Sequence, residues 1–250
     1  MRIGLIADIH GNLVSLEAVL ADIDHQGVDR ILCLGDLATL GPQPREVVDR
    51  IRRLGCPCVM GNHESFLLDR GLMEGYTDST ELEDLVDWCA GLVSEADLDF
   101  VRSFPLLIEV SLGPGATMLC YHGSPRSNMD RILPTTPAAD LDEMLAGYSA
   151  TVMAGAHQHV HMVRQHQGRL LLTVGSVGQP FDEWPFEERP RLLPCAEYTI
   201  VDWTAGALSV ELRRVPIDLE TVKQAAREST MPHIDFWLSW WMEQGESVDG

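Results

Sequence analysis

"MRIGLIADIHGNLVSLEAVLADIDHQGVDRILCLGD", residues 1–36, holds two short apolar runs on either side of a helical pattern. The first, "RIGLIA", ends in Asp8 and then His10; the second, "RILCLG", ends in Asp36. Between them Leu13, Leu16, Leu20 and Ile23 recur at helical spacing, and Asn12 stands where an N-cap is needed. Strand, helix, strand in this order predicts parallel pairing and an α/β fold. In sheets of that kind, ligands gather at the carboxyl ends of the strands. Asp8, His10 and Asp36 all fall there.

The same unit recurs outward along the chain. Residues 44–54 open with Pro44 at a helix start and repeat Val47, Val48, Ile51 and Leu54. "CPCVMG" then ends in Asn62, His63 and Glu64, "TMLCY" in His122, and "ATVMAGA" in His157 and His159. A lone Asp after a strand is usually a turn former, and a lone His near a core is usually inert. Five such endings, each with a metal-capable side chain, argue for one shared site. Carboxylate, imidazole and amide oxygen are ligands for Mn, Fe, Zn or Ni, and no thiolate stands at these positions. The donors suffice for two ions, and a pair about 3.5–4 Å apart is a common device for hydrolysing phosphate esters. "MAGAHQHVHM" adds a question, since His157, His159 and His161 at two-residue spacing would share one face of a strand.

Composition narrows the function classes. The 250 residues include 38 acidic and 18 basic side chains, a formal charge of −20, with no basic run. Bulk nucleic-acid binding is therefore not expected, because it needs a phosphate-neutralising surface. The six cysteines sit mostly in apolar runs and read as free thiols; "CPC" at 56–58 lacks the second pair a zinc ribbon requires. No apolar run approaches the roughly 20 residues of a membrane span. The start "MRIGLIAD" lacks a long apolar segment and a cleavage site, so a cytoplasmic protein is expected.

"DIHGN", "GDLATLGP", "GNHE", "YHGSP" and "AHQH" together resemble the motifs of the calcineurin-like metallophosphoesterases, in family order across residues 8–159. The small bacterial and archaeal phosphodiesterase branch is the most similar, and "GSVGQP" at 175–180 extends the likeness. One domain over residues 1–250 is expected, and the resemblance, which reaches about residue 180, implies a four-layer α/β/β/α sandwich of two mixed sheets with a helical insertion. It implies two divalent transition-metal ions, manganese foremost, with iron, zinc or nickel as alternatives. By similarity Asp8, His10 and His159 hold the first ion, Asn62, His122 and His157 the second, and Asp36 bridges them. A metal-bound hydroxide would attack phosphorus in line. His63, with Asn62, would contact the substrate and assist the leaving oxygen or position the phosphate. Glu64 would orient His63 or support the ligands from behind. His161 has no counterpart in the motif and is placed at the start of the next strand. "AHQH" stands for the commoner "GHTH", and Val174 stands where relatives often carry Asn.

Other stretches carry alternatives. Residues 65–104, with "STELEDLVDWCAGLV" and a capping box from Ser94 to Asp97, read as an insertion that is either a lid or ordinary helical packing. Arg126 reads as a phosphate or leaving-group contact, or as a surface salt bridge. "AEYTIVDW" and "ALSVELRRV" read as paired strands around Gly206, and residues 218–229 as a helix. In "HIDFWLSWWMEQ", Phe236, Trp237, Trp240 and Trp241 form either a helix face packed on the body or a homo-oligomer contact. The expected substrate is a small phosphodiester or phosphomonoester. The alternatives are a dinucleoside polyphosphate and, from another class, a catalytically silent binding scaffold.

Overall fold

The computed structural model describes residues 1–184 and 189–242. The opening unit is β1 (Arg2–Ile6), α1 (Leu13–Gln26) and β2 (Arg30–Cys33), and β1 pairs parallel with β2. The Asn12 side chain caps α1 by accepting from the Ser15 N–H at 3.0 Å. Next come α2 (Pro44–Leu54), α3 (Asn62–Leu68), a 3-10 turn over Arg70–Met73, α4 (Thr80–Leu92) and α5 (Glu95–Arg102). The Ser94–Asp97 capping box forms at the start of α5. The "CPCVMG" run is the exception to the repeated unit. It makes a single parallel bridge, Cys58 to Cys33, rather than a strand, because Pro57 offers no N–H and the chain turns into α3 at Gly61.

The second sheet follows with β3 (Ile108–Gly113), β4 (Ala116–Cys120), α6 (Ala138–Met144), β5 (Val152–Gly155), β6 (His161–His166) and β7 (Arg169–Val174). The hairpin β8 (Cys195–Thr204) and β9 (Ala207–Pro216) then returns to the first sheet, turning at Ala205 and Gly206, both left-handed. Helices α7 (Leu219–Glu228) and α8 (Ile234–Leu238) close the described chain. The strand orders are β2-β1-β8-β9 and β3-β4-β5-β7-β6, and both sheets mix parallel and antiparallel pairs.

Period-two alternation turns these sheets into four layers. Along β1, Ile3 and Leu5 face the second sheet while Ile6 faces the helices. Along β4, Met118 and Cys120 join Ile3 and Leu5 in the central layer, and Leu119 packs on Leu141 of α6. The result is an α/β/β/α sandwich with separate cores between successive layers. Insertion residues Phe66, Leu85, Val86 and Val101 extend the core between α1 and α2, so the segment packs as part of the helical layer.

The C-terminal aromatics differ from the interface reading. Trp237 is fully buried and donates its Nε1–H to the Leu40 carbonyl at 2.7 Å; Trp240 and Trp241 are also buried within the chain. These three tryptophans are therefore packed on the body, the first of the two readings, while Phe236 is half-buried. Glu243 and Gln244 of the same stretch lie outside the described residues. The cysteines are free thiols, as expected. No helix of the described residues is long and apolar enough to cross a membrane.

Candidate metal centre

The carboxyl ends of β1, β2, β4 and β5 deliver their polar residues to one place. Asp8, His10 and His159 form one group whose ligand atoms lie within 4.8 Å of each other, and Asp36, His122 and His157 form another. A third group of the same tightness, His10, Asp36 and His63, joins the two. Asn62 Oδ1 lies 2.9 Å from His122 Nε2. Every ligand position named in the sequence reading is thus in one buried cluster.

The backbone is bent to achieve this. Asp8, His10, Asp36, His157 and His159 all have φ between 45° and 74°, the left-handed region that non-glycine residues seldom occupy. Such strain gathers where function needs it. It also answers the question of the three histidines. His157 and His159 lie in the turn between β5 and β6, so the three do not share one strand face. His161 opens β6, with Nδ1 3.4 Å from buried Glu197. Gly41 and Gly178 lie against the carbonyls of His10 and Ile9, where any Cβ would collide with them.

The hydrogen bonds show which ring atoms face inward. Nδ1 of His10 donates to Thr39 O at 3.2 Å, Nδ1 of His122 to Leu34 O at 2.6 Å, and Nδ1 of His159 to Gln179 O at 2.7 Å. In His10 and His159 the Nε2 is left as a lone-pair atom turned toward the cluster, whereas Nε2 of His122 faces the Asp36 carboxylate at 3.3 Å. Nε2 of His10 and His159 face one another at 3.0 Å, two acceptors with no proton to share between neutral rings. Asp8 Oδ1 and His157 Nε2 are buried with no hydrogen-bond partner among the described residues. Acceptors converging on acceptors in a buried site fit a cation.

Electrostatics agree. Burial holds His10 and His157 well below the ordinary imidazole value and brings His159 down to about 4, so these rings are neutral and free to ligate. Burial also opposes charge on His122, but Asp36 and Asp8 overcome it and raise that ring to about 9. The two carboxylates thus favour positive charge at this ring. For Asp36, burial is outweighed by His122 and His63, and the carboxyl stays ionised; Asp8 is pushed up by burial and by the Asp36 charge.

The residues around the cluster divide differently from the sequence reading. His63 is in place, its Nδ1 held at 2.7 Å by the Thr39 hydroxyl. Glu64 does not orient His63. Its carboxylate accepts from the N–H groups of Asp36, Leu37 and Gly61 at 2.7, 2.7 and 3.0 Å, and so holds the turn carrying Asp36. Arg126 stands away from the cavity. Its side chain is 44% exposed and its Nε is 2.6 Å from Asp130, the surface salt bridge of the two readings. Arg131, five residues on, lines the cavity instead. Thr39, Ser176 and Gln179 were missed: Ser176 donates to Asp8 O at 2.7 Å, and Gln179 provides the carbonyl that fixes His159. "GSVGQP" was the one signal that pointed to the last two.

A cavity of roughly 410 Å³ opens over the cluster, with His10, Asp36, His63, His157 and His159 in its floor. Residues 1–188 match the family model for the calcineurin-like phosphoesterase superfamily domain. The chain belongs to that superfamily. It is 29% identical to the uncharacterized protein MJ0912 of Methanocaldococcus jannaschii over 94% of this chain and 95% of the other. A solved metallophosphoesterase from Sphaerobacter thermophilus is 26% identical, with a TM-score of 0.74, over 96% of this chain and 98% of that one. A symmetrical bis(5'-nucleosyl)-tetraphosphatase from Pectobacterium atrosepticum is 30% identical over 106 residues, 41% of this chain and 37% of that protein. The protein is a metal-dependent phosphoester hydrolase with a divalent metal centre.

Proposed function

We infer that this phosphoesterase uses a pair of divalent ions to hydrolyse a small phosphodiester or phosphomonoester. One observation carries the reading: the Asp8–His10–His159 group and the Asp36–His122–His157 group are joined by a third, His10–Asp36–His63, which sets Asp36 beside both. Asp8, His10 and His159 would hold one ion, Asn62, His122 and His157 the other, and the Asp36 carboxylate would offset the repulsion between them. Manganese suits this oxygen- and imidazole-rich set, as do iron, zinc and nickel. Such ions, when bound, bring coordinated water toward a neutral pKa and take up charge on the phosphate oxygens.

The chain's own residues supply binding and orientation. Burial lowers the His63 pKa, so the ring is neutral near pH 7. A neutral ring that accepts at Nδ1 from the Thr39 hydroxyl, 2.7 Å away, carries its proton on Nε2, where it can be donated to a phosphoryl or leaving oxygen.

The test is hydrolysis of bis-p-nitrophenyl phosphate and p-nitrophenyl phosphate by protein stripped of metal and restored with Mn²⁺. Metal-dependent turnover is expected. His63→Ala should keep its metal and lose about 10²–10⁴-fold in kcat; unchanged kcat would remove His63 from the reaction. Partial similarity to a dinucleoside tetraphosphatase favours diadenosine tetraphosphate as a second substrate for the same assay. A silent scaffold predicts no turnover of any of the three.

A further inference from the structure

We propose that Cys56, Cys58 and Cys33 form a peroxide-sensitive thiol relay, in which Cys56 takes the oxidation and a disulfide between Cys33 and Cys58 stores it. None of the three is a candidate metal ligand.

The backbone places the storing pair. Cys33 ends β2, the edge strand of its sheet, and Cys58 is its parallel bridge partner. The Cys33 N–H donates to the Pro57 carbonyl at 3.0 Å, and the Val59 N–H donates to the Cys33 carbonyl at 2.9 Å. Paired strands run about 4.8 Å apart, and a disulfide spans Cα atoms about 4.4–6.8 Å apart. Both side chains enter the same core, beneath the helices. This pair can close with little movement of the backbone.

The third thiol reaches the surface. Cys56 packs against the same core, yet it is half-buried and lines a groove of roughly 890 Å³ beside α1 and α2. The Cys58 thiol lies beside the thiols of both Cys33 and Cys56 and donates to the Cys56 carbonyl at 3.4 Å. Among the described residues the three sulfurs make no donor group as tight as those at the metal centre. A row with Cys58 in the middle suits exchange between sulfurs better than chelation of an ion.

Access and ionisation set the order of events. Cys33 and Cys58 are 0% and 4% exposed, so an oxidant meets Cys56 first. The Cys58 thiol holds Cys56 below the ordinary thiol value against its burial, while Cys58 is pushed up by its two thiol neighbours and by burial. The Cys56 thiolate attacks one oxygen of hydrogen peroxide, the O–O bond breaks, and a sulfenic acid and hydroxide result. Cys58 displaces the sulfenic hydroxyl, which leaves with the Cys58 proton as water, and a Cys56–Cys58 bond forms. That bond closes a small ring around rigid Pro57 and is strained. The Cys33 thiolate attacks the Cys58 sulfur, and Cys56 departs as a thiolate that takes up the proton Cys33 gave up. Two thiols and one peroxide thus become one disulfide and two waters, with two electrons passed from sulfur to oxygen. The product fastens the end of β2, which leads to Asp36, to the segment that leads to Asn62 and His63.

The test treats the purified protein with hydrogen peroxide and maps its thiols by alkylation and peptide mass spectrometry. This readout is independent of ester hydrolysis. A Cys33–Cys58 crosslink with loss of two hydrogens and an alkylatable Cys56 are expected, and dithiothreitol should reverse the crosslink. Cys56→Ser should slow crosslinking about tenfold or more, since only buried thiols of raised pKa remain. Cys58→Ser should leave Cys56 as a sulfenic acid that dimedone traps. Cys56→Ser alters a half-buried side chain, so its comparison holds even where the buried Cys58→Ser fails to fold. A crosslink that forms as fast in Cys56→Ser would overturn the relay. So would Cys33 and Cys58 still free after Cys56 is oxidised, or a Cys56–Cys58 bond as the end product in the unaltered protein.

Discussion

At the scale of single residues, the site is organised by groups that never meet a substrate. Glu64 is the clearest case. Burial and the Asp36 charge raise its carboxyl to about 7, although three backbone N–H donors point at it. Those bonds hold the left-handed turn at Asp36, so Glu64 acts through Asp36. Glu64→Gln should weaken metal binding about 10–100-fold, read by Mn²⁺ titration, with kcat at saturating metal little changed. A variant that binds metal normally would show that the turn holds itself. The ligands were legible from their place after apolar runs. Their supports were not, because the partners of His10, His122 and His159 are backbone carbonyls of Thr39, Leu34 and Gln179, and a carbonyl has no letter of its own. The choice between Arg126 and Arg131 was likewise hidden. Both follow "YHGSP", and only the course of the turn decides which one faces the cavity.

At the scale of elements, the first helix and the return hairpin are joined by one polar knot. Asp22 of α1 accepts from Arg213 of β9 at 2.8 and 3.1 Å and from the Tyr198 hydroxyl of β8 at 2.6 Å. The Arg213 bond, then the Tyr198 bond, hold the Asp22 carboxyl below its ordinary value. A carboxylate depressed on folding adds stability above the ordinary Asp value near 3.9, and that stability is lost as pH falls through the folded value. Asp22→Asn should therefore lower stability at pH 7 by about 1 kcal/mol, given partial exposure to solvent. It should also flatten the acid limb of a urea-unfolding series taken below about pH 5. An unchanged acid limb would place the knot's contribution elsewhere. This hairpin was legible as alternation around Gly206, while its knot joins positions 191 residues apart and has no local signature. The stretch "CPCVMG" shows the opposite limit, since a good apolar pattern yields only one bridge where Pro57 and the turn at Gly61 cut it short.

At the scale of the whole molecule, the candidate ligands come from loops of both sheets: Asp8 and Asp36 follow β1 and β2, His122 and His157 follow β4 and β5. Ions held there link the two halves of the sandwich, so they should stabilise the entire fold. With Mn²⁺ at about a hundred times its Kd, linkage gives roughly 2.7 kcal/mol per site. For a chain of this size that raises Tm by about 5–10 °C over chelator-treated protein in a thermal scan. Equal Tm values with and without chelator would mean the ions bridge nothing. The layers themselves were foreseeable from alternation, because Ile3, Leu5 and Ile6 sort to opposite faces of β1 as their spacing requires.

The cavity walls have a separate consequence. Met73, Leu82 and Val86 come from the helical segment after α3, Phe181 and Trp184 from the stretch after β7, and Phe236 and Trp240 from α8 and the residues just after it. None of these segments contributes a candidate ligand. Lineages that share this chemistry can therefore drift in diet while the catalytic floor stays under purifying selection. Paralogues should differ most along these three stretches, which are also where an engineer would randomise codons to move the enzyme to a new ester.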